Sequence, residues 1–312
     1  MKRVCTLFEW DKVMLRTFFA LLASFVFVLQ PIISEAHDVA VIKSADIKPY
    51  DDALSGFESS CDCTIKEIPY QESDRTAIPK SIAQLHPDAV FAIGMDAFQG
   101  AQVMKNIPVV YAMVPQLPSP LTAKQNFYGV SMTVSPEKQL DTILELIPTA
   151  KRIGIIYDPQ KTESFVREAS QGALAKGIIL IIRKANKPSD VLSLIASMQG
   201  KIDVFWMLPD TTVINAETVN SLLLFSFQNK VPIFTFAAKY VEMGALAALS
   251  IDPVDLGFQA GEIAKKLLDK SKGQIAAQVA PRKTVLTINK TIAKKLGIEI
   301  NKTILEKAYV VQ

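Results

Sequence analysis

The chain has 312 residues, of which 34 are Lys or Arg and 31 Asp or Glu, for a formal charge of +3. The balance, with no Lys/Arg run to concentrate it, excludes a nucleic-acid footprint, and two His with three Cys are too few for a multi-site metalloprotein. Apolar residues make up 49% and charged residues 21%, which excludes wholesale disorder or collagen-like repeats; the length suggests two domains of about 150 residues each.

Residues 18–29 read FFALLASFVFVL, after Lys12 and Arg16 and before Gln30-Pro31. A spanning helix needs about 20 apolar residues. The shorter run fits the core of a cleaved secretory signal, with Ser34-Glu35-Ala36 as small residues at the cut. The expected signal peptide is 1–36, Met14 being an alternative start; an uncleaved N-terminal anchor or a buried core helix is the other reading. Cleavage removes four positive and three negative charges and leaves 276 residues at +2. The product is periplasmic or otherwise extracytoplasmic. Cys61-Asp62-Cys63 remains after the cut, where an oxidising compartment permits a local disulfide; a buried reduced pair is the alternative, and neither His37 nor His86 lies at metal-ligand spacing from it.

Short apolar runs then alternate with amphipathic stretches. Residues 39–43, 63–68, 89–93 and 109–112 read as strands, separated by helical patterns at 50–60, 74–85 and 96–104. A second series places strands at 152–157, 178–183, 204–207 and 233–236, with helices at 162–176, 188–198 and 211–229. Near-continuous apolar strands between helices predict parallel sheets covered on both faces. The series also resemble each other. Asp88-Ala89-Val90-Phe91-Ala92 and Ile107-Pro108-Val109-Val110-Tyr111 in the first match Asp203-Val204-Phe205-Trp206-Met207 and Val231-Pro232-Ile233-Phe234-Thr235 in the second. Pro at a strand's first residue removes no ladder bond. Two copies of one unit, joined around residues 128–136, predict an α/β protein of two doubly wound parallel-sheet lobes facing across a cleft. Such sheets take ligands beyond the carboxyl ends of their strands. A strand at 244–250, a helix at 256–268 and a strand at 285–288 complete the chain.

Candidate ligand residues sit in the loops after these strands. Asp210, Thr211 and Thr212 are read as opening a helix, where Asp210 is either a plain N-cap or a partner for a ligand ammonium, and the Thr211 and Thr212 amides are candidates to receive a carboxylate. Asp96 is read as capping the helix that begins at Ala97. Phe236, Lys239 and Tyr240 offer an aromatic floor with one cation, suited to a carboxylated ligand with a ring; a solvated Lys239 and a packing Tyr240 are the plainer alternative. Tyr50, Gln116, Asp158 and Ser164 occupy rim positions, and Met95 reads as apolar lining. No nucleophile elbow, phosphate loop, dinucleotide glycine pattern or His cluster is present, so neither an enzyme nor a cofactor or metal is expected.

The run Lys151-Arg152-Ile153-Gly154-Ile155-Ile156-Tyr157-Asp158-Pro159, the segment Gly244-Ala245-Leu246-Ala247-Ala248-Leu249 and the stretch Leu256-Gly257-Phe258-Gln259-Ala260-Gly261-Glu262-Ile263-Ala264 resemble the ABC-transporter substrate-binding proteins of the tryptophan/tyrosine-binding type. Ile93-Gly94 with Ala97 and Gln99 is similar to that family's first-lobe pocket loop. The resemblance runs from about residue 38 to 297. It implies the type I periplasmic binding protein fold with three hinge crossings, lobe one holding 37–129 plus 251–275 and lobe two 130–250 plus 276–312. It also implies a monomeric receptor that captures a small molecule, an amino acid or aromatic carboxylate, and delivers it to a membrane ABC permease. The same fold acting as a ligand sensor on a membrane signalling partner is the alternative. Three loops depart from the family. Phe236-Ala237-Ala238-Lys239-Tyr240 stands where acidic and Ser residues are usual, Met95-Asp96 where a Thr precedes a small residue, and Val114-Pro115-Gln116-Leu117 where Thr-Asp-Pro is usual.

Overall fold

A computed structural model describes residues 37–69, 77–115, 117, 126–269 and 274–311. The expected signal peptide and the candidate Gln116 lie outside the described residues. From His37 onward the chain forms one compact unit, containing a six-stranded and a seven-stranded sheet.

The first sheet is built from β1 (Asp38–Lys43), β2 (Thr64–Ile68), β3 (Ala89–Ile93), β4 (Val109–Ala112), β5 (Phe127–Val130) and a two-residue β11 (Gln278–Val279). Their order is β11-β5-β4-β3-β1-β2, parallel throughout. Helices α1 (Lys48–Cys61), α2 (Ile78–Leu85) and α3 (Met95–Ala101) connect them. All five residues of β3 and all four of β4 are buried, as expected of strands covered on both faces. Cys61 and Cys63 are joined in a disulfide, Cα–Cα 5.3 Å, across the left-handed Asp62 that ends α1.

The second sheet holds β6 (Arg152–Tyr157), β7 (Ile179–Lys184), β8 (Val204–Trp206), β9 (Ile233–Thr235), β10 (Ala247–Ile251), β12 (Thr284–Asn289) and β13 (Tyr309–Val311). The order β7-β6-β8-β9-β10 repeats β2-β1-β3-β4-β5 strand for strand, so the duplication expected from the two apolar-Pro strands is a duplication of topology. Antiparallel β12 then pairs with β10, and β13 with β12. Helices α4 (Pro136–Leu146), α5 (Pro159–Ala175), α6 (Val191–Ala196), α7 (Ala216–Asn229) and α8 (Ala238–Met243) cover this sheet. After β12 come α10 (Lys290–Leu296) and α11 (Lys302–Lys307). Trp206 anchors the core on one face, its indole donating to Gln139 Oε1 at 2.9 Å.

The long helix α9 (Pro253–Leu268) follows β10 of the second sheet, yet packs along α1 of the first. A stripe of small residues permits this close approach. A Cβ at Gly257 would collide with the Ala53 carbonyl, and one at Gly56 with the Val254 carbonyl.

Two expectations are corrected here. The expected joining segment 128–136 begins too early, because Tyr128, Gly129 and Val130 belong to β5 of the first sheet. The chain also makes its last passage between sheets later than the 275/276 boundary, because Gln278 and Val279 still pair with β5.

Candidate functional site

The passages between sheets run through residues 131–135, through Asp252, and through 280–283. The first leaves the carboxyl end of β5, and the second leaves the carboxyl end of β10. The third leaves the carboxyl end of β11 and enters β12 at Thr284, which lies opposite Ile251 at that same end of β10. The first arrives at the start of α4, whose Gln139 bonds Trp206 at the carboxyl end of β8, and the second at the start of α9, which meets Ala53 and Gly56 of α1, so all three join carboxyl edge to carboxyl edge, where open α/β sheets hold their ligands. The second and third passages are tied together. Asp252 caps α9 through the Val254 and Asp255 amides, and the buried Asp255 carboxylate accepts from the Lys283 amide at 3.2 Å and from Gln259 at 3.0 Å.

On the second sheet, the loops after β6 and β8 interlock through two carboxylates. Asp158 caps α5 through the Gln160 amide at 2.9 Å and accepts from the Thr212 hydroxyl at 2.6 Å. Asp210, 1% exposed, accepts from the Asp158 amide at 2.8 Å, the Thr162 hydroxyl at 2.9 Å and the Thr212 amide at 2.9 Å. Thr162 departs from helical angles to make its bond, which places the kink of α5 here. The Thr212 hydroxyl and the Gln160 amide hold the Asp158 pKa below the ordinary aspartate value, with help from Lys161 and against the effect of burial. A carboxylate accepts about four hydrogen bonds. Among the described residues Asp210 receives three of them and Asp158 two, so both retain acceptor capacity.

The helix-start readings are corrected by this geometry. Asp210 is no N-cap, because it turns back on the Thr212 amide while α7 begins at Ala216, capped by Asn215 in a reciprocal pair with Thr218. The Thr212 amide is thus engaged rather than freed, and Thr211 is exposed, its hydroxyl 2.6 Å from Lys161 Nζ. Asp96 is likewise not the cap: Gly94 occupies that place, in a left-handed conformation (φ 91°).

On the first sheet, Ser44 after β1 reaches across so that its hydroxyl oxygen accepts from the Ala97 amide, 2.9 Å. A Cβ at Gly94 would stand 2.6 Å from both Ser44 Oγ and Tyr50 Oη, so Tyr50, Gly94, Met95, Asp96 and Ala97 form one cluster. Burial, with the Asp96 charge nearby, pushes the half-buried Tyr50 phenol up in pKa. After β9, Phe236 and Tyr240 meet edge to face at 5.4 Å, and exposed Lys239 lies over the Tyr240 ring at 4.8 Å. Thr235 ends β9 fully buried, its hydroxyl without a hydrogen-bond partner among the described residues, an arrangement that costs about 1–3 kcal/mol. Ser164 is exposed on α5, six residues beyond Asp158.

The structure thus brings the expected Asp158, Asp210 and Thr212 together, with Lys161 and Thr162 beside them; Ser44 and Thr235 at neighbouring strand ends were likewise not among the expected residues. Only the position of Ser44, directly after a strand and before a helix, was a usable signal.

Among the described residues no helix is long and apolar enough to cross a membrane. In the comparisons, the tyrosine-binding protein of Clostridioides difficile (strain R20291) is 30% identical over 222 residues, 68% of this chain and 64% of that relative, so the match spans less than two thirds of the relative's length. Three solved structures share the fold. One is a domain in complex with L-Trp from Streptococcus pneumonia (24% identity, TM-score 0.61, covering 89% of this chain and 100% of that one). The second is a conserved domain protein of Vibrio cholerae (25%, 0.60, 89% and 100%). The third is the ligand-free, open structure of a substrate binding protein with adhesive properties from Clostridium difficile (24%, 0.72, 89% and 99%). They carry the type I periplasmic binding protein fold to this chain. The family model for ABC transporter substrate binding proteins matches residues 62–312, and the chain belongs to that family.

Proposed function

We propose that the protein captures an amino acid or an aromatic carboxylate between two lobes and delivers it unaltered to a membrane ABC permease. Lobe one comprises residues 37–130 and 253–279, and lobe two 131–251 and 280–312. The observation that carries this reading is the set of three passages joining carboxyl edge to carboxyl edge, since rotation about them brings both edges onto one solute. A ligand that touches both edges only when they are together biases the protein toward the closed state by its differential binding.

The chemistry at the edges fits a zwitterion. Asp158 and Asp210, held rigidly by Thr162 and Thr212, keep acceptor sites for an ammonium group. Lys239 supplies a cation for a carboxylate, and Phe236, backed by the buried Tyr240, offers ring surface. On the opposite edge Tyr50 and Met95 complete an amphipathic wall. The tyrosine-binding relative and the L-Trp complex support an aromatic amino acid as the first solute to try.

A thermal-shift panel of amino acids and small carboxylates tests the proposal. Stabilisation by L-tyrosine or L-tryptophan, lost in Asp158→Asn, is the expected result. No stabilisation by any member of the panel contradicts it.

A further inference from the structure

At the amino ends of the second-sheet strands, opposite the proposed ligand edge, lies an open depression of about 600 Å³. Its cations are Lys151, Arg152 and Lys230, and its apolar lining includes Ile179 and Ile298. The one acid lining it, Asp203, is already engaged by Arg152 at 2.6 Å and by the backbone amides of residues 151 and 152. Lys151 and Lys230 are exposed and have no ion-pair partner among the described residues. Ile179, exposed by 60%, stands among them.

The surroundings continue this character. The third passage ends in β12, whose last residue Asn289 bonds Leu246 at the same end of the sheet and starts α10 there. Residues 290–312, which follow Asn289, hold five Lys against two Glu, and the α10 lysines Lys294 and Lys295 are exposed. Lys295 borders a second, smaller depression of about 180 Å³ beside Phe227, itself 63% exposed. Long cationic side chains over exposed apolar residues suit a surface that is negatively charged outside and apolar beneath.

We infer that this end of lobe two docks on an anionic lipid surface. The charge complementarity is local to the depression, while its apolar residues favour a headgroup–acyl boundary over a wholly polar polyanion. The face belongs to one lobe and lies at the strand ends remote from the three passages, so contact there survives opening and closing. It holds the receptor beside the bilayer without sensing its ligand. The choice of a membrane as occupant rests on the delivery reading above, whereas the basic depression does not.

Co-sedimentation of the full chain with phosphatidylglycerol-containing vesicles and with pure phosphatidylcholine vesicles tests this, at low and high salt. The N-terminal segment carries four cations of its own and is common to every variant, so the change in anionic preference between variants is the readout. The preference for anionic vesicles is expected to fall about fivefold for each lysine neutralised in Lys151→Gln and Lys230→Gln, and to vanish at high salt. The control Lys80→Gln/Lys105→Gln, with the same change in net charge on lobe one, is expected to retain it. Thermal melting of each variant confirms folding. Equal binding to both lipids, or an equal loss in the control, overturns the proposal. Solute binding by Lys151→Gln/Lys230→Gln is expected to be unchanged, which separates failure here from failure of the capture reading.

Discussion

The two carboxyl edges are built on the same strand order but by different chemistry. The second sheet braces its edge with two buried carboxylates, linked through Thr212, which bonds both, and steadied by the Thr162 hydroxyl on Asp210. The first sheet uses a partly exposed ion pair from Lys43 to Asp51, a serine–amide bond and a glycine that lets a serine and a tyrosine approach its backbone. Duplication copied the scaffold and left each edge free to take its own side chains. In the proposed capture, the second edge is the fixed, charged acceptor and the first the wall that closes against it.

Substitutions measure that inequality. Asp210→Ala leaves the Asp158 amide, the Thr162 hydroxyl and the Thr212 amide unpaired in a buried site, and is expected to cost about 3 kcal/mol in denaturant unfolding. Gly94→Ala forces a side chain into a left-handed backbone and against Ser44 and Tyr50, for an expected loss of about 2 kcal/mol. Ser44→Ala removes one bond to the Ala97 amide and should cost about 1 kcal/mol. An Asp210→Ala no more destabilising than Ser44→Ala would erase the distinction between the edges.

Acid sharpens the same contrast. The Asp158 pKa is depressed in the folded state, so its contribution is complete above the ordinary value of 3.8 and is lost as pH falls through the lower folded value. Asp203 behaves alike: burial opposes its ionisation, but Arg152 and two backbone amides prevail. Melting temperature is expected to drop as pH falls below that ordinary value, less steeply in Asp158→Asn. Identical profiles for the two proteins would contradict the assignment.

The scaffold was legible because buried parallel strands are apolar throughout and the two Val/Ile-Pro strand openings repeat. Strands β5, β11 and β13 were not, since runs of two to four residues, one containing Gly129, carry no period. The helix misread at Asp210 has a physical source. An aspartate that accepts the amide two residues on makes the same local bond in a turn as in a cap, while the true signal, Asn215 with Thr218 three residues later, lay just beyond. Ser44, Lys161 and Thr162 escaped because their partners Ala97, Thr211 and Asp210 lie about fifty residues away, and spacing along the chain does not encode such pairs. Asp158 was legible because an acid directly after a buried strand is conspicuous.

Small-angle scattering of the protein, with and without whichever solute stabilises it in the thermal panel, tests the closing of two lobes most directly. The account predicts a smaller radius of gyration on saturation, reversed when the solute is dialysed away. Saturating binding with superimposable scattering curves would contradict it.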